Sequence, residues 1–139
     1  MTSDITISTD SELLDRDRIY RWLSEESYWA LGRERSVQDA AMASSLNFGA
    51  YAAGEQVGYA RVITDYATFA WVADVFVDPA ARGRGVGVRL VEAVMAVLEP
   101  LDLVRIGLVT ADAHSLYERF GFTSLDNPER SMARLRSAR

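Results

Sequence analysis

The chain has 139 residues, 49% of them hydrophobic and 25% charged, and a formal net charge of −5. Every basic residue among the 15 is arginine, cysteine is absent and His114 is the lone histidine. These zeros exclude thiol nucleophiles, disulfide frameworks, zinc ribbons, Schiff-base lysines and P-loop lysines, and they leave carboxylates, tyrosines, one imidazole and water for acid–base chemistry. A chain this long buries roughly 68% of the surface its unfolded form exposes, so one domain over residues 1–139 is expected. The acidic balance argues against nucleic acid as the main partner. The basic tail of Arg130, Arg134, Arg136 and Arg139 reads as a solvated terminus. Met1 to Asp10 shows no signal-peptide pattern and no apolar run reaches the length of a membrane span, so a cytoplasmic protein with no membrane partner is expected.

In chain order, Ile5 to Thr9 alternates weakly and is a candidate first strand. Leu13 to Ser24 reads as an amphipathic helix with Leu14, Ile19, Trp22 and Leu23 on one side. Ser27-Tyr28-Trp29 and Gly32 interrupt it, and Ser36 is placed to cap a second helix, Val37 to Leu46. The period then changes to that of strands: Asn47 to Ala53, a Gly54-Glu55 turn, and Gln56 to Thr64. Phe69 to Val77 is apolar on both faces, as a covered central strand is, and only Asp74 breaks it. Val86 to Leu98 carries Val86, Leu90, Val94 and Leu98 on one helical face, and Pro100 ends it. Leu103 to Thr110 is a further strand. Asp112 begins a short helix that Gly121 terminates, and Ser131 to Arg136 is a candidate last strand. The order β-α-α-β-β-β-α-β-α-β implies an α/β fold: a mixed sheet with helices on both faces.

The most informative stretch is Arg82-Gly83-Arg84-Gly85-Val86-Gly87, between the central strand and a helix. Alternate glycines let a ligand approach the backbone closely, and N–H groups at a helix N-terminus favour an anion. Flanking arginines suit phosphate. The physics of these residues points to a pyrophosphate-binding turn. The spacing does not fit a dinucleotide fingerprint, since Val88 or Leu90 falls where the last glycine belongs.

Arg82-x-x-Gly85-x-Gly87 resembles the acetyl-coenzyme A signature of the GCN5-related N-acetyltransferases. Upstream, Asp74-Val75-Phe76-Val77-Asp78-Pro79 is similar to the strand that precedes that signature in many members. Downstream, Leu116-Tyr117-Glu118-Arg119-Phe120-Gly121-Phe122 is similar to their Leu-Tyr-x-x-x-Gly-Phe element. The resemblance spans Phe69 to Phe122 and implies a mixed, mostly antiparallel sheet flanked by helices. It implies that acetyl-CoA is the co-substrate, with its pyrophosphate on the turn formed by Arg82, Gly83, Arg84, Gly85, Val86 and Gly87. The pantetheine arm would lie along the backbone of Val75, Phe76 and Val77. Tyr117 matches the tyrosine that protonates the departing thiolate. Thr110 stands where many members carry a pantetheine-contacting Asn, and a threonine can still donate a hydrogen bond.

Two positions depart from the family pattern. Ala73 replaces the Glu that often precedes the strand's Asp, which removes the usual water-relayed base, and Thr110 replaces the Asn. Asp74 becomes the carboxylate to watch, because burial raises a carboxyl pKa and a raised pKa suits a base. His114 has three roles open to it: orienting the Tyr117 phenol, contacting coenzyme A, or capping the helix start beside Asp112. Asp65, in the turn before the central strand, is an outer candidate for substrate contact.

In this family the acceptor site is usually shaped by the first two helices and their connection, here Ser27, Tyr28, Trp29, Gly32, Arg33 and Arg35. Tyr28 and Trp29 are the candidate pocket wall. The arginines suit an anion, whereas Glu25 and Glu26 suit a cationic amine. The expectation is an enzyme that transfers an acetyl group to the primary amine of a small amino-acid-like or polyamine-like acceptor, without a metal, as a monomer or homodimer. The rivals are a non-catalytic coenzyme A-binding module and a nucleotide or phosphate sensor.

Overall fold

The computed structural model describes residues 4–136. Five strands form one sheet in sequential order: β1 (Ile5–Ser8), β2 (Leu46–Ala52), β3 (Glu55–Thr64), β4 (Phe69–Val77) and β5 (Arg105–Gly107). The first four pair antiparallel and β5 joins β4 in parallel. One face carries α3 (Val86–Leu98), whose stripe of Val86, Leu90, Val94 and Leu98 is buried against Ile5, Phe48, Ala50, Ala60, Val62, Ala70 and Val72. Each of the Val, Leu, Ile and Phe side chains contributes roughly 1.5–3 kcal/mol by leaving water. Gly58 sets the approach of this helix: a Cβ there would meet Leu90 and Val86 at 3.0 Å. The other face is covered by α1 (Arg16–Arg21), which continues as a π turn over Trp22–Glu26, and by α2 (Arg35–Ala43). Ile19, Trp22, Leu23, Ala30 and Met42 close a second core over Tyr59 and Phe76.

Strand β4 changes its facing halfway. Ala70 and Val72 pack into the α3 core, yet beyond Asp74 it is Val75 and Val77 that do so, while Phe76 faces α1. The cause is a β-bulge: Tyr59 pairs with Phe76 and Arg61 with Ala73, so Ala60 alone opposes Asp74 and Val75. Asp74 takes φ +53°, a left-handed conformation that Asp tolerates better than bulky residues. A strand that reads as apolar on both sides is therefore central, as expected, but its alternation is reset by one residue.

Four boundaries differ from the sequence expectation. The first helix starts at Arg16, because Asp15 caps it by accepting from the Arg18 amide, and residues Ser11–Leu13 form a separate 3-10 turn. Helix α2 starts at Arg35 with Glu34 at its cap, so Ser36 lies inside the helix and caps nothing. β5 pairs over only three residues, with Val104 and Val109 exposed at either side. Ser131 to Arg136 forms no strand. Met132 and Leu135 are three residues apart, so an extended chain would send them to opposite faces, and both are exposed. Arg130, Arg134 and Arg136 are exposed as well, while Arg139 lies outside the described residues. No helix among the described residues is long and apolar enough to cross a membrane.

Candidate active site

The turn from β4 to α3 is built from backbone. Asp78 caps a short 3-10 turn, Pro79–Ala81, by accepting from the Ala80 amide. Arg82 then donates from Nε to the Val77 carbonyl at 3.2 Å, and its guanidinium lies 5.4 Å from the Phe76 ring. Gly83 and Gly85 follow at φ +81° and +80°. Gly85 is the N-cap of α3 and supplies no side-chain cap. Among the described residues, the amides of Gly83 to Val88 find no acceptor in the chain. This is a row of donors at the positive end of a helix dipole, and it suits a pyrophosphate. Gly87 sits against both Val77 and Leu116: a Cβ added to it would lie 3.8 Å from the first and 3.7 Å from the second. The turn therefore adjoins both β4 and α4 (His114–Glu118).

Pairing between β4 and β5 stops at Trp71 and Gly107. Beyond it the two chains separate, and the opening leads to Tyr117 on α4. Thr110 holds the start of this helix by accepting from the Ala113 amide at 3.0 Å. Gly121, at φ +89°, ends it, with the Phe122 amide reaching back to the Tyr117 carbonyl. Tyr117 is 8% exposed and packs edge-on against Phe122. Burial, reinforced by Tyr28 and Asp112, pushes its phenol up to about 12. It therefore keeps its proton through the physiological range and is a hydrogen-bond donor there.

Asp74 sits at the centre of a charged cluster. Its Oδ2 accepts from Arg33 Nη1 at 2.8 Å and from Arg61 Nε at 2.9 Å. Its Oδ1 accepts from Trp29 Nε1 at 2.8 Å and from Arg33 Nη2 at 3.4 Å. Burial pushes this carboxyl up, but the hydrogen bonds and charges of Arg33 and Arg61 outweigh it, and the net shift is downward. The expectation of a raised pKa is thus corrected. A carboxylate that accepts four donors and is held ionised by two guanidinium groups is a poor proton acceptor. The bulge is what delivers Asp74 to these partners.

A cavity of about 320 Å³ gathers Tyr28, Trp29, Arg33, Arg61, Asp74 and Tyr117, together with Val75 and Thr110. A larger one of about 620 Å³ lies beyond β5 and is lined by His114 and the segment after α4. Tyr117, Trp71, Val109 and Thr110 are walls of both. The Tyr28 hydroxyl accepts from the Ala111 amide at 2.9 Å, bridging the loop after α1 to the segment before α4. The sequence-predicted residues thus divide. Tyr28, Trp29, Asp74, Val75, Thr110 and Tyr117 share the first cavity, Arg82 to Gly87 form the adjoining turn, and His114 faces the second cavity. Helix α4 begins at His114 after Ala113 at its cap, and neither His114 nor Asp112 caps it through a side chain. Asp65 is not brought to either cavity. It folds the β3–β4 turn instead, accepting from the amides of Ala67, Thr68 and Phe69 and from the Thr68 hydroxyl, which hold its carboxyl well below the usual range. Sequence reasoning missed Arg61 as a partner of Asp74. The signal was present: Arg61 and Asp74 are the charged residues in the interiors of two neighbouring strands, and their signs are opposite.

The Acetyltransferase (GNAT) family model matches residues 16–122. A Gibberella zeae protein assigned to the acetyltransferases is 32% identical over 135 residues, covering 82% of this chain and 76% of its own. Among solved structures, a protein of Xanthomonas campestris pv. campestris assigned to the GNAT acetyltransferases is 46% identical, with a TM-score of 0.90, covering 94% of this chain and 92% of that one. Rv2747 of Mycobacterium tuberculosis, solved in complex with CoA, has the same fold at 22% identity and a TM-score of 0.70, over 87% of this chain and 73% of that one. Fold, turn and family match agree: the chain belongs to the GNAT acetyltransferase family.

Proposed function

We propose that the protein transfers the acetyl group of acetyl-CoA to the amine of a small acceptor, at the opening between β4 and β5. The observation that carries this reading is the adjacency of three features. The unpaired amides of Gly83 to Val88 adjoin Val77, Val77 continues the strand whose free edge runs from Asp74, and Tyr117 stands at the far side of that opening. The amides would hold the pyrophosphate, and the edge of Val75 to Val77 beside them would hold the pantetheine arm. Acetyl-CoA supplies an acetyl thioester. The attacking nitrogen forms a C–N bond as the C–S bond breaks, the nitrogen gives up one proton, and the sulfur takes one. Tyr117, protonated and facing the cavity, donates to the sulfur as negative charge builds there.

No carboxylate in the buried part of the cavity is free to take the amine proton. Asp74 is saturated, and position 73 is alanine. The neutral fraction of the amine, in exchange with water, is then the attacking species. The test is calorimetry with acetyl-CoA, followed by thiol release with a set of small amines. Binding with amine-dependent release supports the reading, and absence of binding ends it. A second reading, a coenzyme A-binding module without turnover, draws on the same missing base. Binding with no release for any amine would favour it.

A further inference from the structure

The Asp74 cluster is unbalanced. Two guanidinium groups converge on one carboxylate inside the cavity, with side-chain exposures of 18% for Arg33, 11% for Arg61 and 2% for Asp74. Each guanidinium carries five N–H donors. Arg33 places three of them, on Gln38 and on both oxygens of Asp74. Arg61 places two, on Asp74 and on the Ser45 hydroxyl. The remaining donors have no acceptor among the described residues, and both arginines line the cavity. The other charged group on its wall is Asp112, which is exposed and sits on the Tyr117 side. The inner end thus holds an excess positive charge and spare planar donors, while the outer end holds a phenol and a carboxylate.

We propose that Arg33 and Arg61 bind a carboxylate of the acceptor, so that the substrate is a small amino acid or amino-acid-like amine rather than a polyamine. The inference rests on the acetyltransferase reading and narrows it. A planar fork of N–H donors matches a carboxylate and holds it in one orientation. An ammonium at the same place would meet two like charges that one buried carboxylate only partly offsets. A zwitterion placed with its carboxylate on the arginines directs its amine toward Asp112 and Tyr117, where the thioester would lie.

The test uses the full chain with coenzyme A bound, titrated with the standard L-amino acids, their carboxamides, and putrescine and spermidine. Trp29 and Trp71 line the cavity and Trp22 does not, so a ligand-dependent change in tryptophan fluorescence reports cavity binding whether or not turnover occurs. Thiol release from acetyl-CoA is then measured with the same compounds. The expected result is saturable binding of at least one amino acid, a loss of roughly 30-fold or more in kcat/KM for its carboxamide, and no preference for polyamines. Arg33→Gln should raise KM for the amino acid by a larger factor than for its carboxamide, so the acid-to-amide ratio narrows. The ligand-side comparison stands even if that variant folds poorly. Equal use of acid and carboxamide, or a preference for polyamines, overturns the inference and leaves the acetyltransferase reading intact. Intact coenzyme A binding with no response to any amino acid also overturns it. Failure to bind coenzyme A overturns the reading on which both rest.

Discussion

The two halves of the site are made by different means. The turn from Arg82 to Gly87 is local: consecutive residues, two of them glycines with positive φ, present main-chain amides, and side chains contribute chiefly by being absent. The acceptor side is the opposite. Trp29, Arg33, Arg61 and Asp74 come from three separate parts of the chain and meet only through their side chains. On the reading proposed above, the backbone-built half would bind a feature common to every coenzyme A, whereas a side-chain-built half can be altered one residue at a time. Shared chemistry would then sit on the first and individual specificity on the second.

Substitutions can break or sharpen this contrast. The largest effect is expected from Gly85→Asp. It forces a side chain into φ +80° and sets a negative charge among the amides proposed to hold pyrophosphate. Acetyl-CoA affinity should fall by more than about 1000-fold in calorimetry, with the fold retained by circular dichroism. Parent-like affinity would falsify the assignment of the turn.

Asp74→Asn should act on stability before it acts on chemistry. Neutralising the one carboxylate leaves two guanidinium groups facing each other, and a loss of about 3 kcal/mol is expected in urea denaturation. The sign with pH follows from the lowered pKa. The parent's contribution from this group is complete above the unfolded value, 3.8, and disappears as pH falls through the lower folded value. Below that value, parent and variant should converge. A stability gap that persisted unchanged into strong acid would contradict the ion-pair account. In the pH–rate profile of kcat/KM, Asp74 should contribute no limb near neutrality, and the rate should climb toward the amine's own pKa.

Tyr117→Phe should reduce kcat by roughly 100-fold with coenzyme A affinity near the parent value, the size of an interaction made during departure of the sulfur. Since the phenol titrates at about 12, no basic limb from it should appear below that pH in the parent's kcat/KM. An unchanged kcat with chemistry rate-limiting would remove Tyr117 from the mechanism. The smallest effect is expected from Tyr28→Phe. It deletes one exposed hydrogen bond to Ala111, for about 1 kcal/mol or less of stability and a few-fold rise in acceptor KM.

The same contrast explains what the chain reveals before it is folded. The turn is legible because its information is contiguous, and helix α3 because its stripe repeats at a fixed period. Strand β4 is legible as central, but the residue at which its bulge falls is not, since nothing in Val72-Ala73-Asp74-Val75 marks where alternation resets. That reset decides which face Asp74 joins. The direction of its pKa shift is misjudged from sequence for this reason: burial alone raises a carboxyl pKa, and the two arginines that reverse the shift lie 41 and 13 residues away in sequence. Asp65 fails differently. Its Thr68 partner is three residues on, so the turn it folds is a local pattern that competes with a functional reading.

The hydrogen bond from the Ala111 amide to the Tyr28 hydroxyl joins positions 83 residues apart across the rim of the cavity. Such a bond contributes about 1 kcal/mol or less to stability, and behind it Tyr28 packs edge-on against Trp29, whose indole donates to Asp74. The Ala111 amide, protected only while the rim is joined, becomes a built-in clock for its opening in hydrogen exchange.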